Sequence, residues 1–155
     1  MSKKNYCPEG YHAVTPSLAI KGAATAIDWY KNIFSAKEKM RLENADKTIG
    51  HAELLIADSM IMLAEENPQY NKSPQSTNGN SVNLYVYVPD VDATIKKAQA
   101  NKAKVTMEAM DMFYGDRVAH IEDPFGYSWT VATHVKDVSE EEIRKGMKEM
   151  AEQHA

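Results

Sequence analysis

Two short stretches hold the side chains best suited to a metal ion: His51-Ala52-Glu53 and His120-Ile121-Glu122, each an imidazole and a carboxylate two residues apart. On a strand that spacing puts both groups on one side, and two imidazoles with a carboxylate suit iron, zinc or manganese. The same alternation is common on a solvated sheet face, and a polar wall is the favoured reading of His51, Glu53, His120 and Glu122. Elsewhere, Arg117 in Tyr114-Gly115-Asp116-Arg117 could hold an anionic substrate, although a local ion pair with Asp116 is favoured. His134 is read either at the edge of a pocket or at the surface beyond a strand end. Cys7 has no neighbouring histidine as an obvious base, and there is neither a Ser-His-Asp signature nor a phosphate-cradling glycine loop among the 7 glycines.

Such groups act only where a fold positions them, and the composition bounds that fold. At 155 residues the chain is one domain or two closely packed halves. A formal charge of -4 gives no general attraction to nucleic acid or anionic membranes. The single cysteine suits a reducing compartment, and no apolar run reaches the roughly 20 residues that span a bilayer. The expectation is a soluble cytoplasmic protein.

The elements repeat. Leu18, Ile20 and Ile27 reappear 68 residues later as Val86, Val88 and Ile95, and Ile61 and Leu63 as Trp129 and Val131. Two copies at this period indicate two packed modules with a shared cleft. Alternation predicts strands over residues 11–20, 37–43, 50–56 and 60–64, with a helix over 23–34, and a turn at Asp58-Ser59. Residues 66–80 are rich in Asn, Ser, Pro and Gln and read as a connecting loop. The pattern then restarts with strands over 84–88, 104–108, 117–122 and 127–133 and a helix capped by Asp90. Ser139 and Glu142 form a capping box for a final helix, whose stripe of Ile143, Met147, Met150 and Ala151 needs a docking surface on the body or on a second subunit.

Strand alternation also sorts the faces. Leu18, Ile20, Ile61, Leu63, Leu84, Val86, Val88, Trp129 and Val131 form the set under the helices. The opposite set holds Thr15, Ser17, Met60, Met62, Asn83, Tyr85, Tyr87, Ser128 and Thr130. Small hydroxyls, an amide, tyrosines and methionines suit a small-molecule pocket; the alternative is that the two halves pack on this face and fill it. Tyr85 and Tyr87 discriminate, because buried phenols need partners.

The duplicated unit, with AIDWYKNIF on its first helix, YVYVPDVDATIKKA opening the second module and MFYGDRVAHIEDPFGYSWTVATHV closing it, resembles the vicinal oxygen chelate superfamily. The likeness is to its glyoxalase and bleomycin-resistance branch, most closely PhnB-like proteins. It implies an α+β fold in which two βαβββ modules (11–65 and 81–134, linked by 66–80) form an incomplete barrel, a single domain over 11–138, with a C-terminal helix over 139–153. It further implies a homodimer. Some relatives are metal-dependent lyases, isomerases or dioxygenases; others only sequester drugs.

In the metal-dependent relatives the ligands are typically His or Glu on the first and last strands of each module. The matching positions here are Thr15, Met62, Asn83 and Thr130, which are poor ligands for nickel, zinc, manganese or iron. The expectation is therefore a protein binding a small organic molecule through Thr15, Ser17, Met62, Asn83, Tyr85, Tyr87 and Thr130, with no metal cofactor and with no nucleic acid or membrane as partner. The alternative is a glyoxalase-type lyase or isomerase, or a dioxygenase, with a divalent metal on His51, Glu53, His120 and Glu122.

Overall fold

The computed structural model describes residues 6–154. They divide into two compact units, residues 6–80 and 81–154, each built on its own four-stranded sheet. Both sheets are mixed and carry helices, an α+β arrangement.

In the first unit, β1 (Ser17–Ile20), α1 (Ala23–Phe34), β2 (Lys37–Glu43), β3 (Ile49–Ile56) and β4 (Ser59–Glu65) form a sheet in the order β1-β4-β3-β2, with β1 and β4 parallel. The apolar positions of α1 recur at helical spacing, so Ala23, Ala26, Ile27, Tyr30, Ile33 and Phe34 are buried on one stripe. Ile27 and Tyr30 are wholly enclosed, each contributing about 2 kcal/mol of hydrophobic stabilisation. Gly22 brings no side-chain cap to α1. The carboxylate of Glu65, at the end of β4, instead accepts from the amides of Gly22 and Ala23, both at 2.9 Å, and satisfies donors that the helix start leaves open.

The first strand is shorter than alternation suggested. Residues 11–16 lie outside it, and Val14 is exposed. Pro16 has no amide to donate to a ladder; its carbonyl accepts from Met62 at 2.8 Å, and regular pairing begins at Ser17. The β3–β4 turn falls one residue earlier than expected, on Ala57-Asp58, with Ala57 at φ 50°. The connection is also more ordered than its composition indicated. Within it α2 (Pro74–Thr77) is capped by Ser73, and Glu66 accepts from the Ser73 amide and the Ser76 hydroxyl, both at 2.6 Å.

The second unit repeats the plan with β5 (Asn83–Tyr87), α3 (Val91–Ala100), β6 (Lys104–Asp111), β7 (Asp116–Glu122) and β8 (Ser128–His134), ordered β5-β8-β7-β6. Asp90 caps α3 through the Ala93 amide at 3.0 Å, as expected. The repeat holds at the level of register: Leu18 pairs Leu63 in one unit, and Val86 pairs Val131 in the other. The turn between β7 and β8 is organised by buried Asp123, which accepts from the amides of Phe125 and Tyr127 and from the Trp129 indole, each at 2.9 Å. Trp129 is core, as its parity required.

Beyond β8, α4 (Glu140–Gln153) starts with the expected capping box of Ser139 and Glu142. None of its residues is buried. It approaches the body where Gly146 meets Phe113: a Cβ at Gly146 would stand 2.6 Å from the ring. Gly115 is equally constrained, with φ 99° and room for a Cβ only 2.1 Å from the Lys136 carbonyl. Among the described residues no helix is long and apolar enough to cross a membrane.

Candidate functional site

On the second unit's sheet, the face opposite the helix carries the rows that alternation assigned to it, with Thr130, Ala132 and Asp116 buried and the tyrosines partly open. Tyr85 pairs with Thr130 and Thr130 with His120; Tyr87 pairs with Ala132; His134 pairs with Asp116. Asn83 donates from Nδ2 to the Thr130 hydroxyl at 2.7 Å, so two of the expected contact residues are bonded to each other.

Asp116 is the centre of this face. It is only 4% exposed, yet its Oδ2 accepts from the hydroxyls of Tyr85 (3.1 Å) and Tyr87 (2.8 Å) while Oδ1 faces His134 Nδ1 at 2.7 Å. Burial pushes its carboxyl up, but the bonds from His134, Tyr87 and Tyr85 outweigh that and hold it below the usual carboxylate range. His134 is raised above the usual imidazole value, first by Asp116 and then by Asp137, whose Oδ1 lies 2.9 Å from Nε2. Tyr87 is raised by its bond to Asp116 and by burial, and Tyr85 by burial, by the nearby Tyr114 phenol and by Asp116.

The tyrosines are therefore held by their hydroxyls while much of each side chain stays open: Tyr85 is 46% and Tyr87 58% exposed. Their rings lie 5.2 Å apart, tilted by 45°. The partner that a buried phenol requires is supplied by this chain's own carboxylate.

The first unit has a looser counterpart. Ser17 pairs with Met62, Met62 with Glu53, and Glu53 with Met40, so all four share one face. Glu53 Oε1 lies 3.2 Å from His51 Nε2. The Tyr11 hydroxyl donates to Glu53; that bond, more than His51, lowers the carboxyl, and it pushes the Tyr11 phenol up to about 12. Thr15 precedes β1, and its hydroxyl donates to the His12 carbonyl at 3.2 Å.

Three sequence expectations change. Arg117 does not pair with Asp116: strand alternation turns it to the helix side, where it meets Asp92 of α3 at 2.7 Å and Asp111 at 3.2 Å. The residue read as its brace became the hub of the opposite face. The two His-x-Glu stretches also do not superpose. Glu53 and His120 occupy equivalent positions, since they pair with Met62 and Thr130, which are 68 residues apart. One extra residue in the β7–β8 turn shifts the preceding strand back along its partner, not forward. Thr15, placed on a strand by its parity, lies before it.

Asp116 and Tyr11 were missed as site residues. For Asp116 a signal existed, because counting nine residues either way from Phe125, the centre of the turn, pairs Asp116 with His134. Tyr11 gave none, since its segment is not regular strand.

The side chains at the positions where the resemblance puts metal ligands do not fit a catalytic ion. They offer two hydroxyls, an amide and a thioether, of which Asn83 and Thr130 are bonded to each other and Thr15 to a carbonyl. His51 and Glu53 belong to one unit, and His120 and Glu122, both exposed, to the other. Among the described residues no three His, Cys, Asp or Glu side chains group so as to hold an ion.

Comparison with known proteins places this geometry. The family model for the Glyoxalase/Bleomycin resistance protein/Dioxygenase superfamily matches residues 12–131. An uncharacterized protein of Mycobacterium bovis is 34% identical over 139 residues, covering 87% of this chain and 91% of that protein. Among solved structures, a PhnB protein from Bacillus cereus, described as a putative 3-demethylubiquinone-9 3-methyltransferase, aligns with a TM-score of 0.62 at 18% identity, over 79% of this chain and 99% of that one. The fosfomycin resistance protein FosX from Listeria monocytogenes, complexed with Mn(II) and sulfate, aligns with a TM-score of 0.61 at 16% identity, over 86% and 96%. The structural likenesses share the fold.

Proposed function

This chain belongs to the Glyoxalase/Bleomycin resistance protein/Dioxygenase superfamily, and from that premise we propose that it binds a small organic molecule without the family's catalytic metal, in the manner of a sequestering or resistance protein. The observation that carries this reading is the pair of half-exposed tyrosines whose hydroxyls are tied to buried Asp116. Fixing a ring before a ligand arrives lowers the ordering cost of binding, and a tyrosine offers large contact area at low entropy. Asn83 and Thr130 flank the pair with a polar couple. On the first unit's corresponding face Ser17 and Met62 are the contact residues, with Thr15 at the margin and its hydroxyl already engaged.

No proton or electron has to move in this function: the chain's own groups bind and orient. FosX is described in complex with Mn(II); here the positions that the resemblance assigns to metal ligands supply neutral donors, so the reading routes nothing through an ion. The working unit is a homodimer, as the resemblance implies, in a cytoplasm where Cys7 stays a free thiol.

Thermal-shift screening with planar aromatic compounds tests the proposal. A ligand at a hundred times its dissociation constant adds about 2.7 kcal/mol to the folded state. The expected result is stabilisation by a subset of compounds, lost when Tyr85 and Tyr87 are both changed to Ala. Stabilisation that survives in that double variant, or none from any compound, overturns it. A monomer mass in light scattering removes the dimer.

A further inference from the structure

We infer that the Tyr85–Tyr87–Asp116 group is a recognition site for an organic cation, with an alkylated or quaternary ammonium as the chemical class of ligand. The inference deepens the small-molecule reading above and rests on it.

The geometry argues by what the face presents and what it lacks. Two rings 5.2 Å apart stand half exposed on one sheet face, and the Tyr114 phenol is near enough to act on both. Aromatic faces carry negative potential and attract cations within about 6 Å of the ring centre. Each phenol donates its proton to the Asp116 carboxylate, a bond that draws negative charge toward the ring and strengthens that attraction. The carboxylate is itself buried, where water screens it less than at an exposed site; one of its oxygens faces His134 Nδ1 at 2.7 Å and the other takes both phenols.

Anions meet the reverse conditions. The two hydroxyls are spent on Asp116, so neither is left to donate to a ligand acceptor. Both His134 nitrogens face carboxylates, those of Asp116 and Asp137. Arg117, the cation nearest in sequence, is on the helix side with Asp92 and Asp111. A neutral planar ligand would gain ring contact but nothing from the charge.

The test is a calorimetric and NMR titration of the full chain with three probes sharing one ring: benzyltrimethylammonium, benzyl alcohol and benzoate. The expected result is a preference of about five- to thirtyfold for the cation over the alcohol, the range that one or two cation–π contacts supply. Benzoate should bind weakest, and the Tyr85 and Tyr87 ring resonances should move on adding the cation. Tyr87→Leu, at an exposed position, should erase most of that preference, and Tyr87→Phe should retain part of it. Equal binding of all three probes overturns the cation assignment and leaves the small-molecule reading standing. A preference that survives in Tyr87→Leu overturns the site. Absence of binding by all three probes overturns the cation site, while the small-molecule reading is decided by the aromatic screen above.

Discussion

Asp116 carries three hydrogen-bond partners on one buried side chain. Asp116→Asn keeps the shape but loses the charge, and an amide cannot accept from all three. The expected cost is about 1–3 kcal/mol of unfolding free energy, read from urea denaturation. The pair with His134 also gives a pH signature. The folded value of His134 is raised above 6.5, so its contribution is full below that value and lost as pH rises through the raised one. Asp116 is lowered below 3.8, so its contribution is present above that value and lost as pH falls through the lowered one. Denaturation midpoints across pH should therefore sag on the alkaline side in the wild type, and His134→Gln should flatten that sag. An unchanged alkaline limb in the variant would show that the pair does not titrate with folding. At the metal positions the donor chemistry predicts far less than one ion per chain after equilibration with nickel, zinc, manganese and ferrous iron, by elemental analysis. Occupancy near one would mean that the His51, Glu53, His120 and Glu122 set or an unforeseen one is a real site.

Secondary structure follows from periodicity wherever packing agrees with it. The α1 range, the Asp90 cap and the Ser139–Glu142 box were all legible, because an apolar stripe or a short-range hydrogen bond is written within a few residues. What escaped depends on elements meeting. Residues 11–16 alternate like a strand, yet Pro16 breaks the ladder, and the face of Arg117 turns on where β7 begins. The polar face was legible from alternation; its hub was legible only in part, because counting about the turn pairs Asp116 with His134 but not with the two tyrosines of β5. Two predictions belong at this scale. Arg117→Ala should leave ligand binding unchanged, since its ion pairs lie on the helix side; a loss of affinity would return Arg117 to the site. Ser139→Ala should cost about 1 kcal/mol of local helix stability. As α4 buries none of its residues, amide exchange should speed up in its first turn while the global melting temperature stays put.

Each half of the molecule has its own sheet, its own covering helix and its own core, and the repeat in sequence reappears as matched strand register. The duplicated plan is thus visible at every level from residue to unit. The positions that the resemblance assigns to metal ligands hold no His, Asp or Glu, and on the proposal made above kinship sets the scaffold while the local side chains set the function. The core placement of the indoles has an optical consequence. The chain holds 2 tryptophans, Trp29 in the first unit and Trp129 in the second, and both are buried. Its tryptophan fluorescence is the sum of one lamp per half. Replacing either with Phe leaves a single tryptophan whose emission, excited selectively, reports on one half alone, and two superimposed melting curves would show that the halves come apart together.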